Sequence, residues 1–198
     1  MRTAEALRLA IDILSAPSRV HYVRTVALPA GVQDILLIAA GDEDIAHLAA
    51  AETGRTREVV QAAAIFFIEQ VLLFSGSDSY RVLGATPQAP ISELRRNMAL
   101  LMRWLHPDLV PDDARAVFAS RITRAWNNVK TPERRAAYDE ETERLGGLTE
   151  RSVRGPIRTR RKVTAHARIK LEHSLRVKYR YSALVQALTS RIFPKIKK

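Results

Sequence analysis

The chain contains no cysteine, and this absence excludes whole classes of protein. Neither a disulfide framework nor a thiolate metal site can form without cysteine. The five histidines also lack the paired spacing that zinc ligation requires. We therefore expect no metal site and no cofactor. A protein without disulfides suits a reducing compartment, so we expect a cytoplasmic location.

A long uninterrupted apolar run is also missing. The longest apolar stretch, residues 59–74, covers about sixteen residues and contains one glutamate and two glutamines. A helix that crosses a membrane needs about twenty predominantly apolar residues. The apolar N-terminal stretch carries Glu5 and Asp12, so it lacks the apolar centre of a signal peptide. These patterns predict a buried core helix over 59–74 and an amphipathic helix at the N-terminus of a soluble protein.

Acidic residues are scarce only near the C-terminus. From residue 144 onward there are 16 lysines and arginines against two glutamates, a net charge of +14. Because the whole chain carries +11, residues 1–143 carry −3. The basic charge therefore belongs to the C-terminal part of the chain and not to the whole protein.

Apolar residues at helical spacing indicate an all-α protein. With 46% hydrophobic residues the chain has the composition of a globular protein. Apolar positions three and four apart in the first 76 residues predict a bundle of about four helices. A turn cluster at residues 75–78 ends this bundle, and two glycines at 146–147 precede the basic part. The predicted domains are 1–76, 77–143 and 144–198, the last with a basic helix over about 162–193.

The central segment has the pattern short helix, long helix, loop, long helix, short helix. The predicted helices are 80–83, about 90–105, about 112–129 and 132–141. The sequence His106-Pro107-Asp108 ends the second of these, because proline cannot continue the helical hydrogen bonds. Helical spacing and the flanking motifs select the core residues that we expect to be buried: Tyr80, Leu83, Leu94, Leu101, Phe118, Ile122, Ala125 and Trp126.

This segment closely resembles the J-domain of the DnaJ family, over residues of about 78–141. An HPD tripeptide alone would be a weak indication. Here it follows an amphipathic helix, with SDSYRVLGA before it and F-x-x-x-I-x-x-A-W, then PERRAAYDE, after it in the order of the family. The resemblance implies a non-enzymatic co-chaperone that docks a DnaK-type ATPase, stimulates its ATP hydrolysis and directs it to a client protein or a location.

The resemblance also implies roles for individual residues. Asp108 would bond to an arginine of the ATPase, Pro107 would hold the loop and His106 would position it. The basic face of the preceding helix would add contacts through the exposed residues Arg95, Arg96 and Arg103. Taken alone, His106 could instead be a solvated loop histidine that precedes a capping aspartate.

Three positions depart from the family pattern. Ala99 and Leu100 stand where the family has a central Lys/Arg pair, and Leu109 follows HPD where Lys or Arg is common. Complementary charge steers docking and supplies part of the affinity, so we expect weak or specialised binding. Leu100 and Trp104 make a second side of this helix apolar. We expect that side to pack on the N-terminal bundle or the C-terminal helix; the alternative is two scattered surface hydrophobic residues.

The two flanking segments have less specific patterns. The N-terminal bundle shows no catalytic arrangement, and by analogy with other J-proteins we expect it to select a client or a location. The C-terminal segment suggests an anionic partner, either RNA or a membrane surface, through Arg158, Arg160, Arg161, Lys162, Arg168 and Lys170. A solvated basic face on a packed helix is the alternative. The rival function is a nucleic-acid or membrane-surface adaptor whose J-domain does not stimulate the ATPase.

Overall fold

The computed structural model describes residues 4–106 and 112–153, and it describes side chains over 5–106 and 116–145. All regular elements in these ranges are helices, which confirms the all-α prediction. The chain divides into two units, residues 1–146 and 147–198. The predicted boundary at residues 76–77 falls inside the first unit, so the three-domain division stays a prediction. The predicted basic helix over about 162–193 lies outside the described residues.

The N-terminal helices pack around one central helix. After α1 a 3-10 turn at Pro17–Arg19 leads into α2, which is short. The other helices are longer, and α1, α3 and α4 all pack against α5. Ala63 and Ala64 of α5 are fully buried, and such small side chains allow close helix packing. The bounds are α1 Ala4–Ser15, α2 Val20–Val23, α3 Val32–Ala39, α4 Glu43–Thr53 and α5 Arg57–Phe67.

Capping residues start and stop these helices where the sequence has polar or glycine punctuation. The carboxylate of Asp42 accepts a hydrogen bond from the Ile45 amide at 3.1 Å and begins α4. Gly54 ends α4 with a φ of 62°, a left-handed conformation that glycine adopts without strain. Thr56 caps α5. The helix boundaries here follow from interactions within a few residues.

The apolar stretch before the central segment is not one continuous α-helix. Helix α5 ends at Phe67, and a π-helical turn follows over Ile68–Leu72. Such a wide turn shifts the direction of every later side chain, and the sequence pattern did not reveal it. Carbonyls near its end accept bonds from distant arginines: Nε of Arg24 donates to the Gln70 carbonyl at 2.6 Å. The turn therefore presents backbone acceptors to other elements.

The central segment consists of four helices: α6 Ser79–Val82, α7 Ile91–Trp104, α8 Asp112–Val129 and α9 Pro132–Val153. Asp78 caps α6 by accepting from the Arg81 amide at 2.9 Å, and Gly84 follows α6 with a φ of 63°. Helix α8 packs against both α6 and α7. Trp126 is half-buried against the core; the other seven predicted core residues are buried: Tyr80, Leu83, Leu94, Leu101, Phe118, Ile122 and Ala125.

Helix α9 corrects the predicted short helix over 132–141. It continues through the glycines at 146 and 147 as far as Val153. A glycine in a helix interior costs only about 1 kcal/mol relative to alanine, so two glycines alone do not end a helix. The Arg144 guanidinium also pairs with Glu140 one turn earlier at 2.5 Å, an arrangement that supports helical geometry.

Candidate functional site

The side of α7 that faces solvent carries three of the residues predicted to dock a partner: Arg95, Arg103 and His106. Its exposed positions recur at spacings of three and four, which places them on one face of the helix. We call this the outer face of α7, and it consists of Arg95, Ala99, Met102, Arg103 and His106. Arg95 and Arg103 form no ion pair with any residue in the described ranges. The outer face is therefore basic at both ends of α7.

The opposite side of α7 is fixed in the core. Leu94, Leu101 and Trp104 are fully buried there. Asn97 is also buried, and its amide nitrogen donates to the carbonyl of Leu83 at 3.0 Å. A bond of this kind satisfies a carbonyl at the end of α6 that would otherwise lack a partner in the core. These contacts leave α7 no freedom to rotate, so they determine which residues remain on the outer face.

Trp104 is not a scattered surface hydrophobic residue, because its exposed fraction is 0%. Its ring packs against Phe118 of α8, with the ring centroids 5.6 Å apart and the planes tilted by 35°. Leu100 is half-buried against the same core. Helix α3 of the N-terminal bundle packs against α7, and Arg96 donates to the side-chain oxygen of Gln33 at 2.7 Å. The N-terminal bundle thus covers one flank of α7.

Two arginines tie the central helices to the N-terminal segment. The guanidinium of Arg81, in α6, donates to the Val26 carbonyl. The guanidinium of Arg121, in α8, donates to the carbonyl of Leu73, which follows the π-helical turn. Burial lowers the pKa of Arg121 below its ordinary value. The ordinary pKa of a guanidinium lies so far above neutral pH that Arg121 still carries its positive charge. Charged donors make strong bonds to carbonyls. Sequence analysis missed both arginines, because their acceptors are backbone carbonyls far away in sequence.

A polar cluster joins the two ends of the central segment. The phenol of Tyr80 donates to Asp139 at 2.6 Å, and Nε of Arg135 donates to the same phenol oxygen at 3.2 Å. Burial, and then the bond to Asp139, raises the pKa of Tyr80 to about 12. Arg135 also donates to the Ala89 carbonyl at 2.9 Å. Arg135 and Asp139 belong to the RRAAYD sequence in α9. This motif therefore binds α9 to α6, the first helix of the central segment.

The remaining predicted site residues have no described geometry. Pro107, Asp108 and Leu109 follow His106, and they lie outside the described residues. The same holds for the predicted anionic-partner residues, whose role stays a prediction: Arg158, Arg160, Arg161, Lys162, Arg168 and Lys170. Within the described ranges no three histidine, aspartate or glutamate side chains are placed to hold a metal ion. None of the described helices has the length and apolar character needed to span a bilayer.

Known proteins resemble the chain over about a third of its length. The chain is 42% identical over 62 residues to "Chaperone protein DnaJ" of Tropheryma whipplei strain Twist, and equally to that of strain TW08/27. It is 37% identical over 68 residues to "Chaperone protein DnaJ 1" of Mycobacterium leprae strain TN. These stretches cover 31% and 34% of the chain but only 17% of each relative.

The aligned lengths agree with the length of the segment that resembles a J-domain in sequence. No family model matches the chain, and no solved structure matches it. The chain spans only about a sixth of the length of the curated relatives it matches, 17%. The relatives share their family name, and the helix order of the central segment agrees with it. About a third of the chain is therefore similar to chaperones named DnaJ, in agreement with the resemblance of the central segment to a J-domain.

Proposed function

We propose that the protein is a co-chaperone that docks a DnaK-type ATPase through its J-domain and stimulates ATP hydrolysis. The observation that carries this proposal is the outer face of α7. Its arginines lack partners among the described residues, and it ends at His106, the first residue of the HPD sequence. Unpaired cations on a rigid helix suit an acidic partner surface, because complementary charge steers the encounter and fixes its register. The similarity to chaperones named DnaJ supports the same proposal.

The J-domain would perform no chemistry of its own. As the resemblance implies, Asp108 would bond to an arginine of the ATPase, with Pro107 and His106 holding and positioning the loop. The catalytic groups would all belong to the ATPase. Docking accelerates hydrolysis only if the J-domain binds the hydrolysis-competent state more tightly than the other states. The protein would therefore act as an allosteric activator and not as an enzyme.

The N-terminal bundle would determine which client or cellular location this activity serves. Helix α3 packs against α7, and the bonds from Arg81 and Arg121 reach carbonyls of the N-terminal segment. These contacts would hold the J-domain in one orientation relative to the N-terminal bundle. We infer that the bundle binds a client or a cellular location and presents the outer face of α7 in a fixed orientation to it. The cytoplasmic location expected from the sequence belongs to the same proposal.

A single-turnover ATPase assay tests the docking role. The DnaK-type ATPase of the same organism is loaded with ATP, and hydrolysis is followed with the wild type or with His106→Gln. We expect the wild type to accelerate hydrolysis by about tenfold, a typical size for coupling between two sites, and His106→Gln to leave the rate near that of the ATPase alone. His106 is exposed, so the substitution should change the free energy of unfolding by less than about 0.5 kcal/mol.

The matched control is His47→Gln, which replaces another exposed histidine, on α4 and away from α7. It should stimulate the ATPase as well as the wild type does. Equal rates with the wild type and with His106→Gln, both no faster than the ATPase alone, would contradict the proposal. In that case the adaptor function, in which the J-domain does not stimulate the ATPase, would be favoured.

A further inference from the structure

The centre of the outer face of α7 is apolar although its ends are basic. Met102 keeps 43% of its surface exposed, and Ala99 beside it is exposed as well. A rise of 1.5 Å per residue places Met102 about 10 Å along the helix axis from Arg95, with His106 one turn further on. A partner that contacts the two ends of this face must also cover Met102.

Within the part of the chain that the structure describes, Met102 remains exposed on α7. The inner side of α7 is filled by Leu101 and Trp104, both fully buried, and one flank is occupied where Arg96 bonds to Gln33 of α3. Other large apolar side chains are exposed in the described ranges, including Leu48 at 59%. Met102 differs from Leu48 because unpaired arginines of one docking face flank it. Its flexible thioether side chain adapts to an irregular apolar surface.

We propose that Met102, with Ala99 beside it, inserts into an apolar depression on the DnaK-type ATPase, while Arg95 and Arg103 pair with carboxylates around that depression. This inference rests on the proposed function and specifies its partner. An apolar centre surrounded by a polar rim is the arrangement in which buried residues supply most of the binding energy. The chain would therefore prefer an ATPase with an apolar depression over one whose docking surface is acidic throughout.

The sign of a charge substitution separates these two partner surfaces. Met102→Lys adds a cation to a basic face, so it would strengthen docking onto a uniformly acidic surface. Onto an apolar depression it would weaken docking, since the ammonium group would lose its hydration without gaining a partner. The measurement is the concentration of J-protein that gives half-maximal stimulation of the organism's own DnaK-type ATPase.

We expect Met102→Lys to raise that concentration about tenfold or more, because it forfeits the burial of an apolar side chain. Met102→Gln, which is uncharged and similar in length, should also raise it, whereas Met102→Leu should stay close to the wild type. Leu48→Lys on α4 is the matched control for adding a lysine at an exposed apolar position, and it should match the wild type. Circular dichroism of each variant checks that the fold is retained.

The outcomes distinguish a failure of this inference from a failure of the proposed function. If the wild type stimulates the ATPase and Met102→Lys stimulates it at an equal or lower concentration, the apolar depression is contradicted while the docking role stands. The same conclusion follows if Met102→Gln matches the wild type. If the wild type does not stimulate the ATPase at all, the proposed function and this inference both fail.

Discussion

The two sides of α7 have opposite chemistry although they belong to one helix of 14 residues. The inner side, with Leu94, Leu101 and Trp104, is fully buried, whereas the five residues of the outer face are exposed and two of them, Arg95 and Arg103, are cationic. Burial makes the inner side responsible for stability, and exposure makes the outer face available for binding. The comparison predicts that substitutions on the inner side of α7 lower stability strongly, whereas substitutions on the outer face change stability little.

The largest expected effect on the free energy of unfolding comes from a substitution on the inner side of α7. Trp104→Ala removes a fully buried ring that packs against Phe118, and we expect it to lower the free energy of unfolding by about 3–5 kcal/mol. Urea denaturation followed by circular dichroism measures this loss. Trp104→Phe is the control: the indole N–H has no hydrogen-bond acceptor among the described residues, so a smaller ring costs packing but no hydrogen bond. Equal stability of Trp104→Ala and the wild type would refute the assignment of Trp104 to the core.

Alkaline pH tests the core into which the inner side of α7 packs, because that core includes Tyr80 of α6. Its folded-state pKa of about 12 lies above the unfolded value of 10.0, so the folded protein holds this proton more tightly. The resulting stability is fully present below pH 10 and is lost as the pH rises through about 12, a change of about 3 kcal/mol. Chemical denaturation of the wild type and of Tyr80→Phe at several pH values measures it.

Tyr80→Phe should lose less stability over that pH range than the wild type does, because phenylalanine has no proton to release. Parallel pH curves for the two proteins would contradict the raised pKa of Tyr80.

The smallest expected effect on stability belongs to the outer face. Arg103→Ala removes an exposed side chain without an ion pair in the described ranges, and it should change the free energy of unfolding by less than about 0.5 kcal/mol. The same variant should dock the ATPase more weakly, because a positive charge is lost. A large loss of stability in Arg103→Ala would show that the two sides of α7 are not independent.

Several features could be predicted because they depend on neighbouring residues. The structure places helix ends at Asp42, Asp78, Gly54 and Gly84, residue types that favour helix ends in any sequence. Their action is local, since a side chain caps amide groups only two or three residues away. The motifs around HPD were sufficient to show the resemblance to a J-domain for the same reason, because each motif is a short run of neighbouring residues.

Other features could not be predicted because distant residues determine them. The spacing of Leu100 and Trp104 showed a second apolar side of α7 but left two explanations open. The extension of α9 past Gly147 also depends on more than its two glycines. A periodic pattern identifies which side of a helix is apolar, but it does not identify the element that covers that side.

By itself the sequence determined the helical class, the order of motifs and those helix ends that local caps mark, because backbone hydrogen bonds and caps act over a few residues. Only the tertiary structure decided that Trp104 is buried and Met102 exposed, and that Arg81 and Arg121 bond to distant carbonyls. These properties depend on packing between elements far apart in the chain. The physical reason is that burial belongs to an assembled core, and no single helix contains the neighbours that create it.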